Sequence, residues 1–76
     1  MLQTNVYLDG KRLKHLRVTK GITVRALASS AGVSTSTITL LERNERNERF
    51  HAPTLAKLAR ALEVEPTELL GAEEED

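Results

Sequence analysis

An all-α domain of five short helices is the fold that the sequence predicts, and three observations predict it. Apolar residues recur at three- and four-residue spacing in successive stretches separated by only a few residues. Glycines stand where three of those stretches should stop (Gly21, Gly32 and Gly71), and Asp, Thr, Ser or Pro stands where they should begin. No stretch reads as a strand of consequence, so the contacts are expected to be local.

The chain begins with MLQTNVYL, which lacks helical periodicity. Val6, Tyr7 and Leu8 suit an extended segment, packed either on the body of the domain or on a partner chain. Asp9 caps a first helix from about Gly10 to Lys20, with Leu13 and Leu16 inward and Lys11, Arg12, Lys14 and Lys20 outward. Gly21 ends it, and Ile22 returns to the core.

The most informative stretch is VRALASSAGVSTSTITLLER, residues 24 to 43. Thr23 caps a second helix whose buried side carries Leu27, Ala28 and Ala31, and Gly32 can take the left-handed conformation that ends it. Ala28 is small enough to let a second helix cross closely. Val33 points inward. Ser34 caps a third helix, with Ile38 and Leu41 buried, that runs to Glu42 or Arg43. Taken in order, these requirements describe a helix-turn-helix that presents its second helix to a major groove. The alternative is an ordinary helical hairpin within a bundle.

A tandem follows, RNERNER at 43 to 49. It either lengthens the third helix or forms a polar loop; asparagine is a poor helix former and tolerates left-handed geometry at Asn44 or Asn47, which favours the loop. Pro53 and Thr54 open a fourth helix with Leu55, Leu58, Ala59 and Leu62 as its apolar stripe. Val64 extends the core. Pro66 starts a short fifth helix bearing Leu69 and Leu70, closed by Gly71. The domain is therefore expected to span residues 10 to 71, between an N-terminal arm (1 to 9) and a solvated acidic tail (72 to 76).

With 76 residues there is room for one domain and a modest core, and with no cysteine there is neither a disulfide nor a thiolate metal site. No apolar run approaches membrane-spanning length, and a soluble cytoplasmic protein is expected. The net charge is zero but strongly divided. Residues 1 to 60 hold all 11 Lys and Arg and four acids, a net +7; residues 61 to 76 hold seven acids and no base. A basic body suits a phosphate backbone when the acidic end lies elsewhere.

Four segments in order, GKRLKHLR (10 to 17), LASSAGVS (27 to 34), ITLLE (38 to 42) and PTLAKLARALEVEPTELL (53 to 70), resemble the lambda-repressor/Cro-type helix-turn-helix family of bacterial and phage regulators. The resemblance covers about residues 10 to 71. It implies a structural pair that periodicity alone does not show, Arg17 with Glu42, locking the third helix against the first. Two departures stand out. Val24 occupies a position where family members commonly place a polar side chain on the phosphate backbone, and the connection from Glu42 to Pro53 is longer than usual by about one Arg-Asn-Glu unit.

Turning the third helix by 100° per residue with Ile38 and Leu41 inward puts Ser36, Thr39, Leu40 and Arg43 on the outer face, with Thr35 at the tip. These are the candidate base-edge contacts. Arg43 suits a bidentate pair with guanine, and Leu40 suits either a thymine methyl or an incidental surface or dimer contact. Thr23, Arg25, Ser34 and Thr37, with the N–H groups at the two helix starts, are candidate phosphate anchors, joined by Arg46 and Arg49 from the long loop.

His15 and His51 have no acid-and-cysteine cluster around them, and no nucleophile-and-base spacing or glycine-rich cradle occurs, so neither a metal, a cofactor nor an enzyme activity is expected. The expected function is a sequence-specific regulator of double-stranded DNA, a repressor acting as a dimer on a pseudo-palindromic operator, with Leu70, Tyr7 and neighbouring apolar residues as dimer contacts. The rival is an antitoxin or phage anti-regulator that grips a protein partner through the acidic end, Glu63 to Asp76, and a surface at Leu69 and Leu70.

Overall fold

The computed structural model describes residues 3–75, so Met1, Leu2 and Asp76, the extremes of the expected arm and tail, lie outside the described residues. The chain runs as β1 (Gln3–Leu8), α1 (Gly10–Thr19), α2 (Val24–Ala31), α3 (Thr35–Arg43), α4 (Ala52–Leu62), a single 3-10 turn (Pro66–Leu69) and β2 (Leu70–Glu75).

Each helix starts and stops for a local reason. Asp9 accepts from the N–H groups of Lys11 and Arg12, Thr23 from Ala26 and Ser34 from Thr37, so three helix starts carry side-chain caps. Beyond α1, Gly21 adopts φ 69°. There Ile22 N–H bonds to Arg17 C=O and Gly21 N–H to Val18 C=O, the paired pattern that closes a helix through a left-handed residue. Gly32 takes φ 71°, and its N–H and that of Val33 both reach Ala28 C=O. Glu63 makes the same left-handed turn after α4 at φ 58°, where a side chain is sterically disfavoured.

Leu13, Leu27, Ala28, Ala31, Ile38, Leu55, Leu58, Ala59, Leu62 and Leu69 form one buried cluster with Leu8, and Leu16, Ile22, Val33, Leu41 and Val64 pack around it. Leu8 enters this core from β1, a burial that helical periodicity has no means of registering.

The expected five-helix, all-α count is corrected in two places. The fifth helix is only four residues of 3-10 turn, because Leu70 leaves it in extended conformation at φ −101°, ψ 147°. From there residues 70 to 75, instead of closing at Gly71 and trailing off as a tail, pair antiparallel with β1 from Leu8↔Leu70 to Gln3↔Glu75. Tyr7 faces Gly71 across this ribbon. A Cβ on Gly71 would stand 2.5 Å from the Tyr7 ring, so the glycine makes room for the aromatic plate. Arg46 covers the ring with its guanidinium carbon 4.8 Å from the centroid and pairs with Glu73 next along the strand. An isolated two-stranded ribbon is marginal in water. This one is held by Leu8 and Leu69 in the core and by Arg46 above.

The repeat at 43 to 49 is a loop after Arg43. Its asparagines do not use left-handed geometry, since Glu63 is the only non-glycine residue with positive φ among the described residues. They act through their side-chain amides instead.

Candidate nucleic-acid interface

Thr35, Ser36, Thr39, Leu40 and Arg43 are all exposed and together line one shallow hollow along α3, of ≈ 350 Å³. Their shared side follows from Ile38, which is fully buried and pins the opposite face of the helix to the core. Leu40 is 54% exposed, an apolar side chain held in solvent among hydroxyls and a guanidinium. Arg43 is exposed and makes no ion pair among the described residues, so no carboxylate there engages its five N–H donors.

The candidate phosphate anchors sit at helix starts. Ser34 Oγ accepts from Thr37 N–H at 3.1 Å and lies 2.9 Å from Thr37 Oγ1, so the two hydroxyls are coupled and have one proton left for an outside acceptor. Ser34 caps the third N–H of α3, leaving those of Thr35 and Ser36 directed out of the helix end, where the dipole favours an anion. Thr23 arranges α2 in the same way, with Arg25 exposed in the first turn. Val24 packs against the core cluster and offers no polar group there.

The loop arginines differ from each other. Arg49 is exposed, with no ion pair among the described residues. Arg46 is engaged within the chain by Glu73, by Glu48 at 3.3 Å and by the Tyr7 ring. Sequence reasoning did not foresee this, because Tyr7 and Glu73 lie 39 and 27 positions away. The signal present was the run Val6, Tyr7 and Leu8, which suits an extended segment.

Behind the face, Arg17 joins α1 to α3. Its Nε donates to Glu42 Oε2 at 2.6 Å and its Nη2 to Oε1 at 2.9 Å, while Nη1 donates to Ile22 C=O at 2.8 Å. The two side chains are 11% and 9% exposed. The hydrogen bond to Glu42, with its negative charge, raises the Arg17 pKa above the usual guanidinium value despite the opposing effect of burial.

A larger hollow, ≈ 640 Å³, lies on the outer side of α1, lined by Lys11, Arg12, Lys14, His15, Val18 and others. None of the helix-turn-helix residues lines it. Among the described residues no group of His, Cys, Asp and Glu is arranged to hold a metal ion, and no helix is long and apolar enough to cross a membrane.

The fold that carries these residues recurs in solved structures. The restriction-modification controller protein C.AhdI from Aeromonas hydrophila is 40% identical, with a TM-score of 0.71 over 79% of this chain and 88% of that one. SinR, a master regulator for biofilm formation, solved in complex with DNA, is 33% identical with a TM-score of 0.72 over 79% of this chain and 94% of that one. SinR also appears with SinI, where 57% of the matched chain is covered. A hydroxyethylphosphonate dioxygenase from Streptomyces albus contains a similar domain, 27% identical at a TM-score of 0.72, but the match spans 16% of that enzyme. No curated protein matches in sequence. The fold is thus a small helical one with a short two-stranded sheet, shared with DNA-binding regulators rather than with whole enzymes. The model of the Cro/C1-type helix-turn-helix DNA-binding domain matches residues 12–75, and the chain belongs to that family.

Proposed function

We propose that this helix-turn-helix regulator is a sequence-specific repressor that binds double-stranded DNA as a homodimer on a pseudo-palindromic operator. The observation that carries the reading is the joint exposure of Thr35, Ser36, Thr39, Leu40 and Arg43 on one side of α3. In the major groove Arg43 pairs with guanine O6 and N7, Leu40 meets a thymine methyl, and Thr35, Ser36 and Thr39 add short-range hydroxyl contacts. The face has one long polar side chain, so affinity rests heavily on phosphates. Thr23, Arg25, Ser34, Thr37 and the N–H groups of the two helix starts hold them, with Arg49 adding charge from the loop. Arg46, paired with Glu73 and Glu48, is left out of this phosphate set. Arg17 and Glu42 set the pitch of α3 without touching DNA.

A single helix sees only a few base pairs, and two placed about 34 Å apart multiply the discrimination. Tyr7 and Leu70 are half-buried within their own chain, so the ribbon offers Val6, 44% exposed, and Ala72 to a second copy. Repression then follows from occupancy of a duplex that other proteins need. The reading places the protein in the cytoplasm, on the nucleoid when bound.

A second reading is an antitoxin or anti-regulator that works through a protein partner. It is favoured by the acidic end of the sequence, Glu63 to Asp76 without a base, and by the precedent of a similar fold solved as a SinR–SinI complex. Binding to mixed genomic fragments across a salt series separates the two. A DNA reader with six or more phosphate contacts loses roughly three to five powers of ten between 50 and 200 mM salt. An adaptor shows little DNA affinity at any salt, and a pull-down then identifies its partner.

A further inference from the structure

Three parts of the chain that are remote in sequence meet at the C-terminal end of α3. The last carbonyls of a helix lack partners inside it. Here Asn44 Nδ2 donates to Leu40 C=O at 3.2 Å and Asn47 Nδ2 to Leu41 C=O at 3.0 Å, so the two asparagines of the repeat serve consecutive carbonyls. The same Asn47 amide lies 3.1 Å from Asn44 C=O and 3.0 Å from Leu8 C=O. Its main chain exchanges both hydrogen bonds with Leu8, each 3.0 Å. Gly10 brings the start of α1 against this node: a Cβ there would stand 1.9 Å from Leu41 C=O and 2.1 Å from Asn44 C=O. Beside it Arg46 ties the loop to the ribbon through Tyr7 and Glu73.

Leu40 and Arg43 belong to the turn that this node holds. The other end of α3 is fixed by the Ser34 cap, about 13 Å away at 1.5 Å per residue, so a tilt of about 5° about that cap moves Arg43 by about 1 Å. A displacement of about 1 Å is enough to spoil a bidentate contact.

We propose that Asn47, supported by Arg46, is a positioning residue for base reading: it clamps the last turn of α3 to the paired ends of the chain and so sets where Arg43 and Leu40 fall on the base edges. It does this without touching DNA. The proposal rests on the reading of α3 as the groove-entering helix. It also explains why two of the charged-and-amide triplets stand in tandem, the first asparagine serving Leu40 and the second reaching Leu41 and the ribbon together.

The test uses the full chain. Wild type first selects its site from random duplexes, and every base pair of that site is then varied singly. Asn47→Asp replaces the donor by a carboxylate facing three carbonyls, and Asn47→Ala removes the donor without adding charge, should the first fail to fold. Arg46→Ala releases the ribbon. Ala59→Gly, in α4, serves as a control destabilised away from the node. All binding is read at a temperature where melting curves show each protein folded. The expected result is that discrimination at the base pairs dependent on Arg43 falls about tenfold in the Asn47 variants, with readout near Ser36 and non-specific affinity retained. Ala59→Gly keeps the wild-type profile, and Arg46→Ala keeps the wild-type salt slope. An unchanged profile in both Asn47 variants, or a uniform loss on every sequence, overturns the proposal. So does a salt slope lowered by about one in Arg46→Ala, which places that residue on a phosphate. A wild type that selects no site overturns the underlying reading as well, and is recognised by appearing before any substitution is made.

Discussion

Replacing Arg17 by methionine removes three hydrogen bonds at once, two to the Glu42 carboxylate and one to Ile22 C=O, and leaves the carboxylate with little water. At 9% side-chain exposure Glu42 cannot recover its hydration in place, so the cost falls in the range for a broken buried pair, about 3–5 kcal/mol. A chain this short has a total stability of roughly 4–11 kcal/mol. Each kcal/mol shifts the midpoint by about 4–8 °C, so Arg17→Met should lower the melting temperature by at least about 12 °C. Glu42→Gln keeps one acceptor and should cost less, about 2 kcal/mol. Removing both charges in Arg17→Met/Glu42→Leu should return stability to within about 1–2 kcal/mol of the wild type, because no desolvated charge remains. Thermal and urea unfolding followed by circular dichroism complete the cycle. The raised Arg17 pKa keeps the guanidinium charged through its ordinary range, and the contribution is lost only as the pH rises beyond it, so neutral and mildly alkaline buffers should give the same coupling. A cost under about 1 kcal/mol for Arg17→Met, or a coupling that vanishes in high salt as a surface pair's does, refutes the argument from burial.

Two backbone predictions follow from the turns and close approaches. Gly10→Ala places a methyl within 2.1 Å of two main-chain oxygens that cannot rotate away, so it should destabilise by about 3 kcal/mol or more. Gly71→Ala meets only the Tyr7 ring, which can shift, and should cost distinctly less; equal losses would mean that α1 does not pack against α3 as described. Glu63→Gly relieves a side chain at φ 58° and should raise stability by about 1 kcal/mol, read as a higher melting temperature, whereas a lower one would show that the left-handed turn is not formed in solution.

The helix-turn-helix was legible because its rules are short-range. Thr23, Gly32 and Ser34 each act on residues within one turn, and the spacing of Leu27, Ala28, Ile38 and Leu41 fixes both buried faces, so the outer face of α3 follows by rotation. The ribbon was not legible in the same way. Val6 and Ala72 are paired across 66 positions, the acidic run around Glu73 reads as solvated when taken alone, and Tyr7 needs Gly71 opposite it to lie flat. The repeat illustrates the same limit. Its loop character could be read from asparagine's poor helix propensity, but Arg46 looks like a free cation until Glu73 is brought beside it, and the reach of Asn47 depends on where Leu8 passes. Gly10 looked like an ordinary first residue of a helix, and its closeness to Leu41 is a tertiary fact.

Whether the outer face of α3 reads base edges through Arg43 is decided by the affinity of wild type and Arg43→Ala for the selected site and for random duplex at one salt concentration. Arg43→Ala should lose about 1–3 kcal/mol on the selected site per guanine contacted, and much less on random DNA. Equal losses on the two would make Arg43 one more phosphate contact and rule out base reading through it.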